Sequence, residues 1–274
     1  MRPRKLRMLA GCECSGLVRD AFAARGWEAW SADILPSETP VFDEFYGGPE
    51  FAKTPSPEDC TPGGCHYQGD VRDLFSWDHP VNRAHRDRLG AVELANWPSV
   101  PLWDLFIGFP PCDHLSLAGA RYWKQKRVTR VGPHGEYPWP SVQDEAADFF
   151  MEMVHAPAAH TAVENPRGDM TRRYRPPDQY VQPWWFGDPL VKATGLWLEN
   201  LPLLVADNPV MPSGRVATGG GSYRTDIKYG RGPNNGHEDA RGRVNRRRER
   251  NRTLPGFARA MADQWGNYAE EQHA

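Results

Sequence analysis

Apolar and polar positions alternate in two periods along this chain, and the switch between them lays out its elements. Residues 5–10 (KLRMLA) predict a short first strand, and a run of small residues, Gly11 to Gly16, follows it. From 17 to 25 the apolar positions Leu17, Val18, Ala21 and Phe22 recur at helical spacing, closed by Gly26 as a C-cap. Residues 28–34 (EAWSADI) predict a second strand ending on Asp33. Residues 35–65 are rich in Pro, Glu, Gly and Thr without periodicity, which predicts a long surface loop. Residues 66–71 predict a third short strand ending on Asp70, and 83–95 a helix. The run at 103–109 predicts a strand, 124–140 a loop, Val142–Val154 an amphipathic helix and 160–163 a buried strand. After Pro176 the alternation fades. Residues 182–204 read as short strands, 205–244 as loop and 257–265 as a closing helix.

Two of these strands end in the same way. The run 105–109 stops at Pro110-Pro111, followed by Cys112, and 160–163 runs into Glu164-Asn165-Pro166. Proline has no N–H to donate and a fixed φ, so each strand must leave its ladder there. The turns fall at the carboxyl ends of strands, where open α/β sheets bind ligands. Cys112, with Asp113, His114 and Ser116 behind it, is then either a half-buried thiol or a nucleophile. Glu164 is either a cap or surface acid, or the partner of that thiol. The opening unit of strand, small-residue turn, helix and strand with a terminal acid suits a nucleotide-type ligand: backbone close to the ligand, acid on ribose hydroxyls. Its glycines do not follow GxGxxG, and a plain α/β core fits this unit nearly as well. Asp70 could accept from an adenine amine or cap the helix after it.

Composition narrows this picture. With 274 residues and a net charge of −2, the chain is one large domain, or one with a small appendage, and not a basic nucleic-acid binder throughout. Charge is uneven: residues 241–252 hold seven arginines against the single acid Glu249, a solvated face or a phosphate-contacting patch. Five unevenly spread cysteines suggest no disulfide framework and fit a reducing, intracellular setting. The first apolar segment is too short for a signal peptide, and no run reaches a membrane span, so a soluble protein is expected. Cys60, Cys65 and His66 have zinc-like spacing but no second ligand pair, and no metal is expected.

Taken in order, Gly11–Gly16, Asp33, Gly69-Asp70-Val71, Pro110-Pro111-Cys112, Glu164-Asn165-Pro166 and Gly266-Asn267 resemble the DNA cytosine carbon-5 methyltransferases. The chain looks most like their compact bacteriophage forms, which share stretches like QPWWFGDP, KATGLWL and RTLPGFARAMADQW. The resemblance covers nearly the whole chain. It implies an α/β, Rossmann-like methyltransferase sheet that uses S-adenosylmethionine, with a small, reduced target-facing β/loop region. The catalytic domain would comprise residues 1–175 and 245–274, and the target-facing part 176–244. By motif, Gly11, Cys12, Ser15 and Gly16 would hold the methionine end, Asp33 with Ile34 the ribose side, and Asp70 with Val71 the adenine. Pro111 and Asn267 would complete the pocket. Cys112 would be the nucleophile beside Pro111, Glu164 the acid and Asn165 a brace for the Cys112 loop. A helix start just after Cys112 and a nearby cation would activate the thiol. Ser116, Arg121, Arg250 and Arg252 would contact DNA, the last two standing in for the family's Gln-x-Arg-x-Arg motif, which has no clean match. The implied partner is double-stranded DNA. The expected protein is a monomer without membrane attachment, in the cytoplasm of a bacterial host if phage-encoded. Two alternatives remain open: the same chemistry on a free cytidine nucleotide, or a catalytically idle DNA-binding protein of this fold.

Overall fold

The computed structural model describes residues 4–39, 43–46, 64–89, 100–117, 120, 123, 131–132, 135–136, 141–215 and 253–273. At its centre is β1 (Arg7–Gly11), every residue of which is buried. Alternate side chains serve opposite faces of a strand. Met8 and Ala10 accordingly enter one apolar core while Leu9 enters the other. A strand covered on both faces needs apolar residues on both, which is why RMLAG does not alternate.

Around β1 the chain lays down α1 (Leu17–Ala23), β2 (Glu28–Asp33), β3 (Asp43–Tyr46), β4 (Cys65–Gln68), α2 (Pro80–Arg86) and β5 (Trp103–Gly108). The short strands β6 (Val131–Gly132) and β7 (Gly135–Glu136) precede α3 (Val142–Val154), β8 (Ala158–Asn165), α4 (Met170–Arg173) and β9 (Gln179–Val181). β10 (Leu190–Val191), β11 (Thr194–Glu199), β12 (Gly214–Arg215) and α5 (Pro255–His273) complete it. Among the described residues, eight strands form one sheet in the order β3-β4-β2-β1-β5-β8-β11-β9. The first six run parallel. β11 runs antiparallel to both β8 and β9. This is the α/β, Rossmann-like sheet expected, with an antiparallel edge.

One core lies between the sheet and helices α1 and α5, with Phe22, Phe186, Met261 and Trp265 in it. The other contains Trp30, Trp103, Phe106 and Trp197, with Phe150 and Met153 from α3. α3 begins where the Ser141 hydroxyl accepts from the Asp144 amide at 3.1 Å, an N-cap on an apolar stripe.

The differences from the sequence reading have local causes. β3 falls inside the stretch expected to be loop: four residues, DEFY, are too few for periodicity to show. The helix expected at 83–95 begins earlier, at Pro80, where proline at the first position needs no N–H partner. The residues beyond 89 on that segment lie outside those described. β9 and β11 fall in the 176–244 stretch expected to be the small target-facing region, and both pair into the central sheet.

Candidate active site at the carboxyl edge of the sheet

From β1 the chain moves outward to β2 on one side and later to β5 on the other. That reversal leaves a crevice between the carboxyl ends of β1 and β5, where ligands of open α/β sheets bind. The turns following both strands line it. The Phe109 amide donates to the Gly11 carbonyl at 2.9 Å, fixing one turn against the other.

After β1 the backbone enters the left-handed region twice, at Cys12 (φ 59°) and Gly16 (φ 77°). Glu13 lies between them, 4% exposed. Its carboxyl accepts from the Ser15 hydroxyl and from the Gly16 amide. Burial pushes the Glu13 pKa up to about 7. Burial, with Asp33 and Asp70 close by, also raises the Cys12 thiol, so the structure brings these three expected cofactor residues together. Asp33 accepts from the Leu35 amide at 2.9 Å. Ile34 beside it is 76% exposed. Asp70 takes the capping alternative: it accepts from the Arg72 amide at 3.0 Å and pairs with the Arg72 guanidinium, which holds its carboxyl below the usual range. Val71 is buried against the second core.

Asn267 is placed elsewhere. It bonds Arg25, just after α1 and before β2 begins, as Glu270 does. Asp33 ends β2, so at about 3.3 Å per residue the two are separated by roughly the length of that strand. The start of α5, not Gly266-Asn267, lies at the carboxyl edge, where Thr253, Leu254 and Phe257 stand beside Glu164. The Phe257 amide there donates to Asp188 at 3.1 Å.

Cys112 and Glu164 end neighbouring parallel strands, in the register Gly108 opposite Val163. The Asn165 side chain, 1% exposed, donates its amide to the Pro110 carbonyl at 3.0 Å. This bond ties the Glu164 turn to the Cys112 turn, with Pro111 between Pro110 and the thiol. Farther along, the Asp169 amide donates to the Leu115 carbonyl at 2.7 Å and the Leu117 amide to the Arg167 carbonyl at 3.1 Å. Gly168 packs directly on the Leu115 carbonyl, leaving no room for a side chain. Ser116, expected at the DNA surface, is buried in this seam opposite Gly168.

No helix starts at Cys112. The Leu115 and Ser116 amides both donate to the Cys112 carbonyl, closing a tight turn instead. The thiol is free, and its pKa is pushed up to about 11, first by burial and then by Glu164 and Asp113. Among the described residues the opposing charge is Lys192, which sequence reasoning missed. It lines a cleft with Glu164, Thr194, Phe109, Thr253 and Phe257. Burial raises the Glu164 carboxyl, against Lys192 and the Thr194 hydroxyl, which favour the anion. The antiparallel register puts Leu196 opposite Glu164 and Gly195 opposite Asn165, so Thr194 and Lys192 overshoot the end of β8 toward the thiol. The signal was in the KATGLWL stretch, but only the pairing of β11 with β8 reveals it.

Arg121, Arg250, Arg252 and Cys60 lie outside the described residues. Cys65 is a core side chain. His66 has both ring nitrogens engaged, with Ser31 and with the Leu35 carbonyl. Among the described residues no group of three or more His, Cys, Asp or Glu is placed to hold a metal, and no helix is long and apolar enough to cross a membrane.

No protein-family model matches the chain, and no curated protein does either. Among solved structures it is similar to a prophage-encoded protein of E. coli, provisionally described as a DNA modification methyltransferase. The two share 14% identity over 71% of this chain at a TM-score of 0.34, and the match spans 46% of that protein's length. A likeness so distant says nothing about activity.

Proposed function

We propose that the protein transfers a methyl group from S-adenosylmethionine to carbon 5 of cytosine in double-stranded DNA. The observation that carries this reading is the pairing of Cys112 and Glu164 on adjacent strand ends, locked by the Asn165 bond to Pro110. A thiol beside a carboxyl whose proton affinity burial raises suits a reaction that adds sulfur to an electron-poor ring and protonates it elsewhere.

The turn after β1 fits the cofactor better than it fits a dinucleotide. The Glu13 carboxyl already occupies the Gly16 amide and the Ser15 hydroxyl, so a phosphate would meet a buried acid where it needs free donors. A ligand with a cationic head suffers no such penalty. Gly11, Cys12, Ser15 and Gly16 would hold that head. Asp33 would take the ribose hydroxyls, the exposed Ile34 face would cover a flat ring, and the turn at Asp70 and Val71 would border it. When bound, the cofactor supplies an electrophilic methyl group on a positively charged sulfur.

The chain's own residues do the rest. Carbon 5 of cytosine is a poor nucleophile until the aromatic ring is broken. The thiol of Cys112 loses its proton to water and its sulfur bonds carbon 6. Glu164 gives a proton to ring nitrogen 3 as electrons move there. Lys192 offsets the negative charge gathered between thiolate and base. Carbon 5 takes the methyl group and then loses its hydrogen as a proton to water. The carbon–sulfur bond breaks, nitrogen 3 returns its proton to Glu164, and the thiolate is restored. A target base in duplex DNA must leave the stack to reach this cleft, at a cost of a few kcal/mol. Phosphate contacts would come from Arg167 and Arg172, both exposed near the mouth, and from the 241–252 arginines.

The test is methyl transfer from labelled S-adenosylmethionine into duplex DNA by the wild type, Cys112→Ala and Glu164→Gln. Incorporation at cytosine carbon 5, lost in the first variant and cut at least 100-fold in the second, is expected. Transfer to free cytidine nucleotides alone would move the substrate off DNA. No transfer to either by folded protein would leave a binding protein.

A further inference from the structure

Arg19 projects from α1 and is fully buried, yet none of the chemistry above uses it. Its guanidinium donates to the Ser31 hydroxyl at 3.0 Å, the Ser37 hydroxyl at 3.0 Å and the Thr39 hydroxyl at 2.6 Å, while Nε donates to Asp20 at 2.8 Å. Ser31 passes the contact on: its hydroxyl lies 2.8 Å from His66 Nδ1, and His66 Nε2 lies 3.0 Å from the Leu35 carbonyl. A carbonyl only accepts, so Nε2 carries the proton. Nδ1 then accepts from Ser31, whose oxygen accepts from Arg19. The chain of bonds has one consistent direction.

Beyond its anchors at Asp20, Ser31 and His66, the relay grips the rim after β2. Ser37 and Thr39 are bonded directly, and Leu35 is held through His66. The Glu38 amide donates to the Cys14 carbonyl at 2.7 Å, inside the turn after β1. The product is a fixed lip in which Ile34 and Leu35, 76% and 42% exposed, are presented to solvent beside Asp33. Apolar side chains held outward by a buried polar network are arranged for a ligand rather than for the core, where they would otherwise be drawn.

We propose that Arg19 is a positioning residue for the cofactor, which sets the rim at 33–39 through Ser31, Ser37, Thr39 and His66 before the adenosine half arrives. The assignment rests on the reading of this edge as the S-adenosylmethionine site. The planar guanidinium serves four partners in fixed directions, whereas a lysine ammonium has three donors on a flexible stem.

The experiment compares the wild type with Ser37→Ala/Thr39→Ala and with Arg19→Lys. The double variant removes the bonds to the rim and leaves α1, Arg19 and Ser31 in place, so it tests the inference even if Arg19→Lys folds poorly. S-Adenosylhomocysteine binding is measured by calorimetry, KM for S-adenosylmethionine and kcat at saturating cofactor by labelled transfer, and exchange of the Leu35 and Glu38 amides by hydrogen exchange. The double variant should bind S-adenosylhomocysteine roughly 5- to 30-fold more weakly, the equivalent of one or two lost hydrogen bonds. KM should rise in parallel, both amides should exchange faster, and kcat should stay within about twofold of wild type, as expected for lost ground-state binding. Unchanged affinity in a folded double variant, or a fall in kcat with KM unaltered, would overturn the assignment. If the wild type itself fails to bind S-adenosylhomocysteine, the cofactor reading fails before the role of Arg19 is reached.

Discussion

Replacing Asn165 by alanine should disable the site by more than it weakens the fold. The Asn165 amide and the Pro110 carbonyl are both buried and lie 3.0 Å apart, so truncation leaves that carbonyl without its donor. An orphaned buried acceptor costs about 1–3 kcal/mol. For a chain of this size each kcal/mol lowers the melting temperature by about 2–4 °C, so a fall of roughly 2–12 °C is expected. The Pro110 carbonyl precedes the nucleophile by two residues, and an ångström of misplacement at a reacting atom can cost about 100-fold in rate. Asn165→Asp keeps the shape but turns a donor into an acceptor facing an acceptor, and should do at least as much damage. Calorimetry gives the stability, and single-turnover methyl transfer with Cys112 alkylation gives the effect on the site. A variant within about 0.5 kcal/mol of wild type, with unchanged alkylation and transfer, would refute the idea that this bond couples the two turns.

Glu164→Gln, besides cutting methyl transfer at least 100-fold, should speed alkylation of Cys112 near neutral pH, because Glu164 is one of the groups holding the thiol up at about 11. Iodoacetamide kinetics across pH check this, and equal rates would count against it. Lys192→Met should move alkylation the other way, slowing it at every pH below the thiol's own, since Lys192 opposes Glu164. Gly168→Ala should drive Leu115 and the Cys112 turn away from β8, with loss of activity and a lowered melting temperature. The Glu13 carboxyl, raised to about 7 in the folded protein, should make stability fall as pH rises from the ordinary carboxylate range to about 7. In that window the native state keeps a proton that the unfolded chain has lost. Denaturation measured across pH in Glu13→Gln should lose this slope, which amounts to about 1.4 kcal/mol for each pH unit crossed within the window.

Much of this was legible in the sequence because the relevant signals are local. Paired prolines mark where β5 ends and Pro166 where β8 ends, so the turns bearing Cys112 and Glu164 could be located without coordinates. Val142–Val154 was legible to the residue, since its apolar stripe, Ser141 cap and first-turn acids agree. Lys192 was not, because its role follows from antiparallel pairing between strands 28 residues apart in sequence, where spacing carries no information. Asn267 misled for the related reason that a short Gly-Asn motif does not say which end of its helix meets the site. In the fold Phe257 at the start of α5 stacks on Phe186, while Asn267 and Glu270 farther along bond Arg25 just after α1. Asp70 was open between two readings, and a neighbouring arginine decided for the cap. Ser116 follows Cys112 as a surface contact would, but the seam with Gly168 encloses it.

The most direct test of the central claim is incubation of the protein with duplex DNA containing 5-fluorocytosine and S-adenosylmethionine, followed by denaturing electrophoresis and mass spectrometry. Fluorine at carbon 5 cannot leave as a proton would, so the sulfur–carbon bond should persist. The account predicts a cofactor-dependent covalent complex mapped to Cys112 and absent in Cys112→Ala. A folded, cofactor-binding protein that methylates cytosine without forming that complex would contradict it.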